Sequence, residues 1–187
     1  MTSNPPAPGP NPLPLVLTLI GYRATGKTTV AKLLAQRLGW DWIDADVEIE
    51  HRAGKTIARI FAEDGEAAFR DLESQVIADL CRRQRLVLAA GGGAPLRPEN
   101  RRAMRQAGRV VWLTARPETI LARMSGDATT AARRPNLTDK LPLEEIVQLL
   151  HQREPVYRES ADLTVDTEGI TPARLAATII ERLQLAP

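Results

Sequence analysis

The amino-acid sequence predicts an α/β domain in which a mainly parallel sheet is covered by helices on both faces. Three observations carry this expectation. Short apolar runs of β type alternate with longer segments of helical period along nearly the whole chain. The runs are short enough for strands buried on both faces, the habit of parallel sheets. The chain has 187 residues, 43% hydrophobic and 26% charged, which suits one domain with a sizeable core and leaves little room for two.

In chain order, residues 1–14 hold six prolines and almost nothing that could pack, so they are expected to be an extended tail outside the fold, with a single domain over 15–187. The run 15–20 (LVLTLI) reads as a strand and 27–38 as a helix stopped by Gly39. Further strands are expected at 42–44, 86–90, 109–113 and 163–165. Helical periodicity marks 57–63, 66–83, 99–107, 117–124, 143–157 and 172–185. Residues 125–142 lack periodicity, and an interior loop of that length is expected to be a lid or a binding loop.

Composition excludes several classes. No window approaches the roughly 18 uninterrupted apolar residues of a membrane-spanning helix, and no secretory signal pattern opens the chain. The single Cys81 cannot form an intrachain disulfide, so a reducing cytoplasm is expected. Cys81 shares an apolar helical stripe with Ile77 and Leu80, where a buried structural thiol is expected rather than a nucleophile. His51 and His151 are isolated in polar helical contexts and are expected at the surface, and no metal other than magnesium is implied. Lys and Arg (25) and Asp and Glu (23) are interspersed, leaving a net charge of +2 and no basic tract for nucleic acid.

The strongest local signal is Gly21-Tyr22-Arg23-Ala24-Thr25-Gly26-Lys27-Thr28, a match to G-x-x-x-x-G-K-[ST] lying between a strand and a helix. Backbone N–H groups of such a loop curl around a phosphate at the positive end of the helix. Lys27 then reaches the β- and γ-phosphates and the Thr28 hydroxyl can ligate magnesium. There is no Asn-Lys-x-Asp guanine-reading motif, and neither run 86–90 nor run 109–113 ends in an acidic residue, which disfavours a switch GTPase or a standard ATPase. Only the run 42–44 ends in carboxylates. If that strand continues, alternation turns Asp44 and Asp46 to the same side, one toward magnesium and one toward a substrate. The alternative is a helix-capping Asp pair.

The phosphate loop, WIDAD (42–46), FAEDGEAAFRDLE (61–73), AAGGGA (89–94), RRPNL (133–137) and REPVYRE (153–159) together resemble shikimate kinase, in family order and spacing from 15 to about 185. The resemblance implies a three-layer P-loop kinase fold like that of nucleoside monophosphate kinases: a five-stranded parallel sheet, helices on both faces and a lid loop. It implies a substrate-binding helical segment at about 47–80 and a lid at about 125–142. It also implies transfer of the ATP γ-phosphate to the 3-hydroxyl of shikimate, with magnesium as cofactor.

Residue by residue, the resemblance implies nucleotide binding by Gly21, Ala24, Thr25, Gly26, Lys27, Thr28, Thr29 and Arg134, with Arg123 packing over the adenine. Magnesium falls to Thr28 and Asp44, and catalysis to Lys27, Asp46 and the lid arginine Arg134. Shikimate carries a carboxylate and hydroxyls, so its site needs planar cations and hydrogen-bond acceptors. These are Arg70 and Arg153 for the carboxylate, Asp46 for the hydroxyl, and backbone N–H groups of Gly91, Gly92 and Gly93, with Phe61 and Phe69 as apolar walls.

Read without the resemblance, each of these residues keeps a plainer alternative. Arg70 could pair on its helix with Glu73 or Glu66, and Arg153 with Glu154 or Glu159 at the surface. The glycines could be a flexible connection, the two phenylalanines ordinary core, Arg123 a cap on its helix dipole and Arg134 a solvated loop charge.

Ala24 occupies a position where the family often has glycine, so a left-handed backbone there would be strained. Asn136 stands where many members carry an apolar residue, and the lid is longer than in the shortest ones. The partners expected are shikimate and ATP, with no nucleic acid and no membrane, for a monomer. Competing readings are another small-molecule P-loop kinase, acting on gluconate or a nucleoside monophosphate, and a nucleotide-dependent RNA-binding module.

Overall fold

A computed structural model of the chain describes residues 16–126 and 142–185. Five parallel strands form one sheet in the order β2-β3-β1-β4-β5: β1 (Val16–Ile20), β2 (Asp41–Asp44), β3 (Leu86–Ala89), β4 (Gly108–Thr114) and β5 (Leu163–Asp166). Between them run α1 (Lys27–Leu38), α2 (Ala45–Ala53), α3 (Ile57–Glu63), α4 (Gly65–Leu80), α5 (Pro98–Ala107), α6 (Pro117–Ser125), α7 (Pro142–Ser160) and α8 (Pro172–Leu183). The five-stranded parallel sheet with helices on both faces is as expected.

The central strand shows why the layers form. Alternation sends Val16 and Ile20 to one face and Leu17 and Leu19 to the other, all fully buried. Leu17 and Leu19 join the apolar stripes of α1 (Val30, Ala31, Leu34) and α8 (Leu175, Ala176, Ile179). Val16 and Ile20 join Phe69, Val76 and Ile77 of α4 and Met104 of α5. Burying each such leucine or isoleucine is worth about 1.5–3 kcal/mol before chain entropy is counted.

The strand order corrects one expectation. β2 and β5 are edge strands, not strands buried on both faces: all four residues of β2 are exposed or half-buried, and Trp42 is 39% exposed. A second correction concerns 45–53, which folds as α2, although DADVEIE alternates like a strand. Asp44 decides it, because its side chain accepts from the Asp46 N–H at 3.0 Å and caps the first turn. Asp44 and Asp46 therefore do not share the face of one strand.

All five strands point their carboxyl ends the same way. Register pairs Leu19 with Ala89 and Ile20 with Trp112, while Asp44 pairs with Ala89. The loops after β1, β2 and β3 consequently open at one rim of the sheet, where parallel sheets bind ligands.

Candidate active site

The loop from Gly21 to Gly26 leaves β1 and enters α1 without a side-chain cap, so the first-turn N–H groups of α1 face the loop. Gly21 is required by crowding, since a Cβ there would collide with the Leu113 carbonyl oxygen of β4, and its φ is 139°. Gly26 has φ 91°. Thr25 is buried and its hydroxyl donates to the Tyr22 carbonyl at 2.8 Å. Lys27 Nζ donates to the carbonyls of Gly21 at 2.9 Å and Tyr22 at 2.8 Å, across the loop that it would share with a phosphate. Ala24 does lie in the left-handed region, with φ 60°. Thr29 is exposed on α1.

Thr28 Oγ1 donates to Asp44 Oδ2 at 2.6 Å, which joins the phosphate loop to the carboxyl end of β2. This hydroxyl and carboxylate are hard oxygen donors beside a phosphate-binding loop and fit a magnesium ion. Among the described residues no three His, Cys, Asp or Glu side chains come together, so such an ion would complete its shell with phosphate and water. Asp46 follows one turn on, half-buried in α2.

Opposite lies the glycine turn after β3. Gly91, Gly92 and Gly93 are buried. A Cβ on Gly93 would run into the Arg70 guanidinium, 2.7 Å from Nη2 and 2.8 Å from Cζ, so only glycine lets Arg70 of α4 lie against this turn. Arg70 Nη1 donates to Glu73 Oε2 at 2.8 Å, and Arg70 Nη2 lies 3.2 Å from Glu66 Oε1. The plain alternative for Arg70 is thus realised, yet the residue is not a solvated charge. Its side chain is only 12% exposed and Glu73 is fully buried, so the pair acts as a rigid mount for the guanidinium.

Arg153 departs further from its surface alternative. It is buried on α7, and its guanidinium sits over the Tyr22 ring at 5.7 Å. Glu154 pairs with Arg158 instead, at 2.6 Å. The Arg23 guanidinium also lies 5.7 Å from the Tyr22 ring, and its Nη2 is 3.4 Å from the buried Glu145. Burial raises the Tyr22 hydroxyl above its usual pKa, while the two arginines pull it down. Phe61 and Phe69 stack with centroids 4.7 Å apart; Phe69 is fully buried and Phe61 half-buried against the same core. Arg123 reaches from α6 to Thr167 Oγ1 at 3.0 Å and to the Ala24 carbonyl at 3.5 Å. It bridges the phosphate loop to the segment after β5 rather than capping its own helix. His51 and His151 are exposed, as expected. Arg134, and with it most of the 125–142 lid assignment, lies outside the described residues.

A cavity of about 560 Å³ lies to one side, between α7, β4 and β5, lined by Trp112, Thr164, His151 and Arg158 among others. Of the site residues expected from sequence, only Thr25 borders it.

Sequence reasoning missed Tyr22, Arg23, Glu145 and Tyr157 as parts of this rim. Tyr22 and Arg23 occupy variable positions of the phosphate-loop pattern, which carry no signal. Tyr157 was legible, because it stands four residues after Arg153 and so on the same helix face.

A phosphate loop between the central strand and α1, a Thr28–Asp44 oxygen pair, and Arg70 against the glycine turn with Arg153 over Tyr22 define a P-loop phosphotransferase. The chain belongs to the shikimate kinase family, whose model, described as Shikimate kinase, matches residues 23–184. It is 50% identical over 151 residues to a shikimate kinase of Rhodopirellula baltica, covering 81% of each chain. Against one from Pseudomonas putida it is 43% identical over 171 residues, covering 91% of this chain and 97% of the relative. Among solved structures, the shikimate kinase from Acinetobacter baumannii in complex with shikimate superposes with a TM-score of 0.86 at 39% identity, covering 92% and 94% of the two chains. A gluconokinase from Sinorhizobium meliloti shares the fold at a TM-score of 0.52 and 15% identity, covering 91% and 94%. Fold alone therefore does not choose the acceptor.

Proposed function

We propose that the chain transfers the γ-phosphoryl group of ATP to the 3-hydroxyl of shikimate, giving shikimate 3-phosphate and ADP. The observation that carries this beyond the family match is the pairing of two part-buried arginines, Arg70 on α4 and Arg153 on α7, with a glycine turn on the rim that also holds the phosphate loop. Planar guanidinium groups suit the carboxylate of shikimate. They suit the carboxylate of gluconate and the phosphate of a nucleotide as well, so the choice of shikimate over those acceptors rests on the family match.

In this reading Arg70 and Arg153 hold the carboxylate, and N–H groups of Gly91, Gly92 and Gly93 face the substrate. Phe61 and Phe69 form its apolar wall. Asp46 accepts the hydrogen bond of the attacking hydroxyl and orients it, or takes its proton, as phosphoryl transfer proceeds. Lys27 leaves its loop carbonyls to meet the β- and γ-phosphates, and the N–H groups of Gly21, Ala24, Thr25, Gly26, Thr28 and Thr29 surround the phosphate chain. Arg123 packs beside the adenine, and Arg134, assigned from RRPNL alone, stabilises charge on the transferring group. Thr28 and Asp44 would hold magnesium, which when bound would offset the negative charge of the phosphate chain. The enzyme is taken to be a cytoplasmic monomer, to be checked by fractionation and light scattering. Among the described residues no helix is long and apolar enough to cross a membrane.

The test is ADP release with ATP and magnesium against a panel of shikimate, gluconate and nucleoside monophosphates. Shikimate is expected to be the fastest acceptor by a wide margin. Equal or faster release with either of the others would overturn the assignment.

A further inference from the structure

We infer that Tyr157 is a positioning residue that aims the glycine turn at the substrate. Its hydroxyl donates to the Gly92 carbonyl oxygen at 2.5 Å, and the residue is fully buried. The ring is fixed from the other side by Trp112, with centroids 5.7 Å apart. Gly92 is pressed between this hydroxyl and the phosphate loop: a Cβ there would stand 3.2 Å from the Gly21 carbonyl oxygen and 3.7 Å from the Tyr157 oxygen. The peptide between Gly92 and Gly93 is trans, so fixing the Gly92 carbonyl on Tyr157 turns the Gly93 N–H to the opposite side, away from α7. Among the described residues that N–H meets no acceptor, whereas the Gly91 and Gly93 carbonyls accept from Ala94 and Leu96. The Gly91 and Gly92 N–H groups likewise meet no acceptor among the described residues, and of the three donors the Gly93 N–H is the one whose peptide the Tyr157 bond holds.

Tyr157 stands one turn after Arg153, so a single helix both supplies a carboxylate-binding cation and sets the orientation of a backbone donor. A displacement of α7 would disturb both contacts together. The inference rests on the reading of Gly92 and Gly93 as substrate-facing, and it adds a residue that never touches the substrate.

Tyr157→Phe keeps the ring and its packing and removes only the hydroxyl. It is expected to raise the shikimate KM about tenfold, with the ATP KM and kcat within about twofold of the parent. Trp112→Phe keeps an aromatic ring against Tyr157 and leaves the hydroxyl bond in place, and should leave the shikimate KM near the parent value. An unchanged shikimate KM in Tyr157→Phe, or an equal rise in Trp112→Phe, would overturn the inference. Arg153→Ala, measured beside them, separates the two levels. If it raises the shikimate KM and Tyr157→Phe does not, only the positioning role fails; if neither does, the placement of the substrate fails.

Discussion

Ala24 lies at φ 60° inside the phosphate loop, a backbone state that costs a residue with a Cβ about 1–2 kcal/mol. Glycine there would relieve that strain and return part of the gain through a more flexible unfolded chain. Ala24→Gly is expected to stabilise the protein by about 1 kcal/mol, raising Tm by roughly 2–4 °C for a chain of this size. A thermal melt with Tm unchanged or lowered would show that the loop does not hold this conformation. The sequence pattern already marked this position. It did not mark Tyr22 or Arg23 beside it, because any residue type fits a variable position and their importance comes from α7 packing over them. Arg70 shows a further limit of local pattern. The i,i+3 partner Glu73 is visible in the sequence, but whether that pair is a solvated ornament or a buried mount depends on the glycine turn from β3 lying against it.

Elements were legible where apolar periodicity was dense and less so where a single capping residue decided. α1 matches its expected span and ends at Gly39, whose φ is 64°. α2 gives little local signal, because only Ala45 and Ile49 are buried in it, too few for a clear helical period, and it was the resemblance that implied a helical segment from about 47. The long helix α4 ends at Leu80, before the expected 83, where Cys81 caps it and packs half-buried against the core. Burial there pushes the thiol pKa up to about 11 from an ordinary value of 9.0. Folding thus favours the protonated form. Below the unfolded value both states carry the proton and pH has no effect through this group. Between about 9 and about 11 the unfolded chain ionises while the folded one does not, so stability falls as pH rises. Comparing Tm of the parent with Cys81→Ala across that window isolates the effect from other titrating groups. The gap between the two curves is expected to shift against the parent as pH rises; parallel curves would contradict it.

At the scale of the whole molecule, the sheet order does what no local pattern could specify. Placing β1 between β3 and β4 puts the loops after β1 and β3 side by side, while α7 crosses over both and brings Arg153 to Tyr22. The residues of the cleft are scattered from Gly21 to Tyr157, and their types were readable from the motifs, but their meeting at one rim follows from topology. The central claim is that Arg70 and Arg153 meet there to bind one carboxylate. Calorimetric titration of shikimate into the nucleotide-free parent, Arg70→Ala and Arg153→Ala tests it directly. Each variant is expected to lose about 1.5–3 kcal/mol of binding, roughly ten- to over a hundredfold in Kd, while ATP affinity stays within about twofold. Parent-like shikimate affinity in either variant would contradict the claim and place that arginine outside the site.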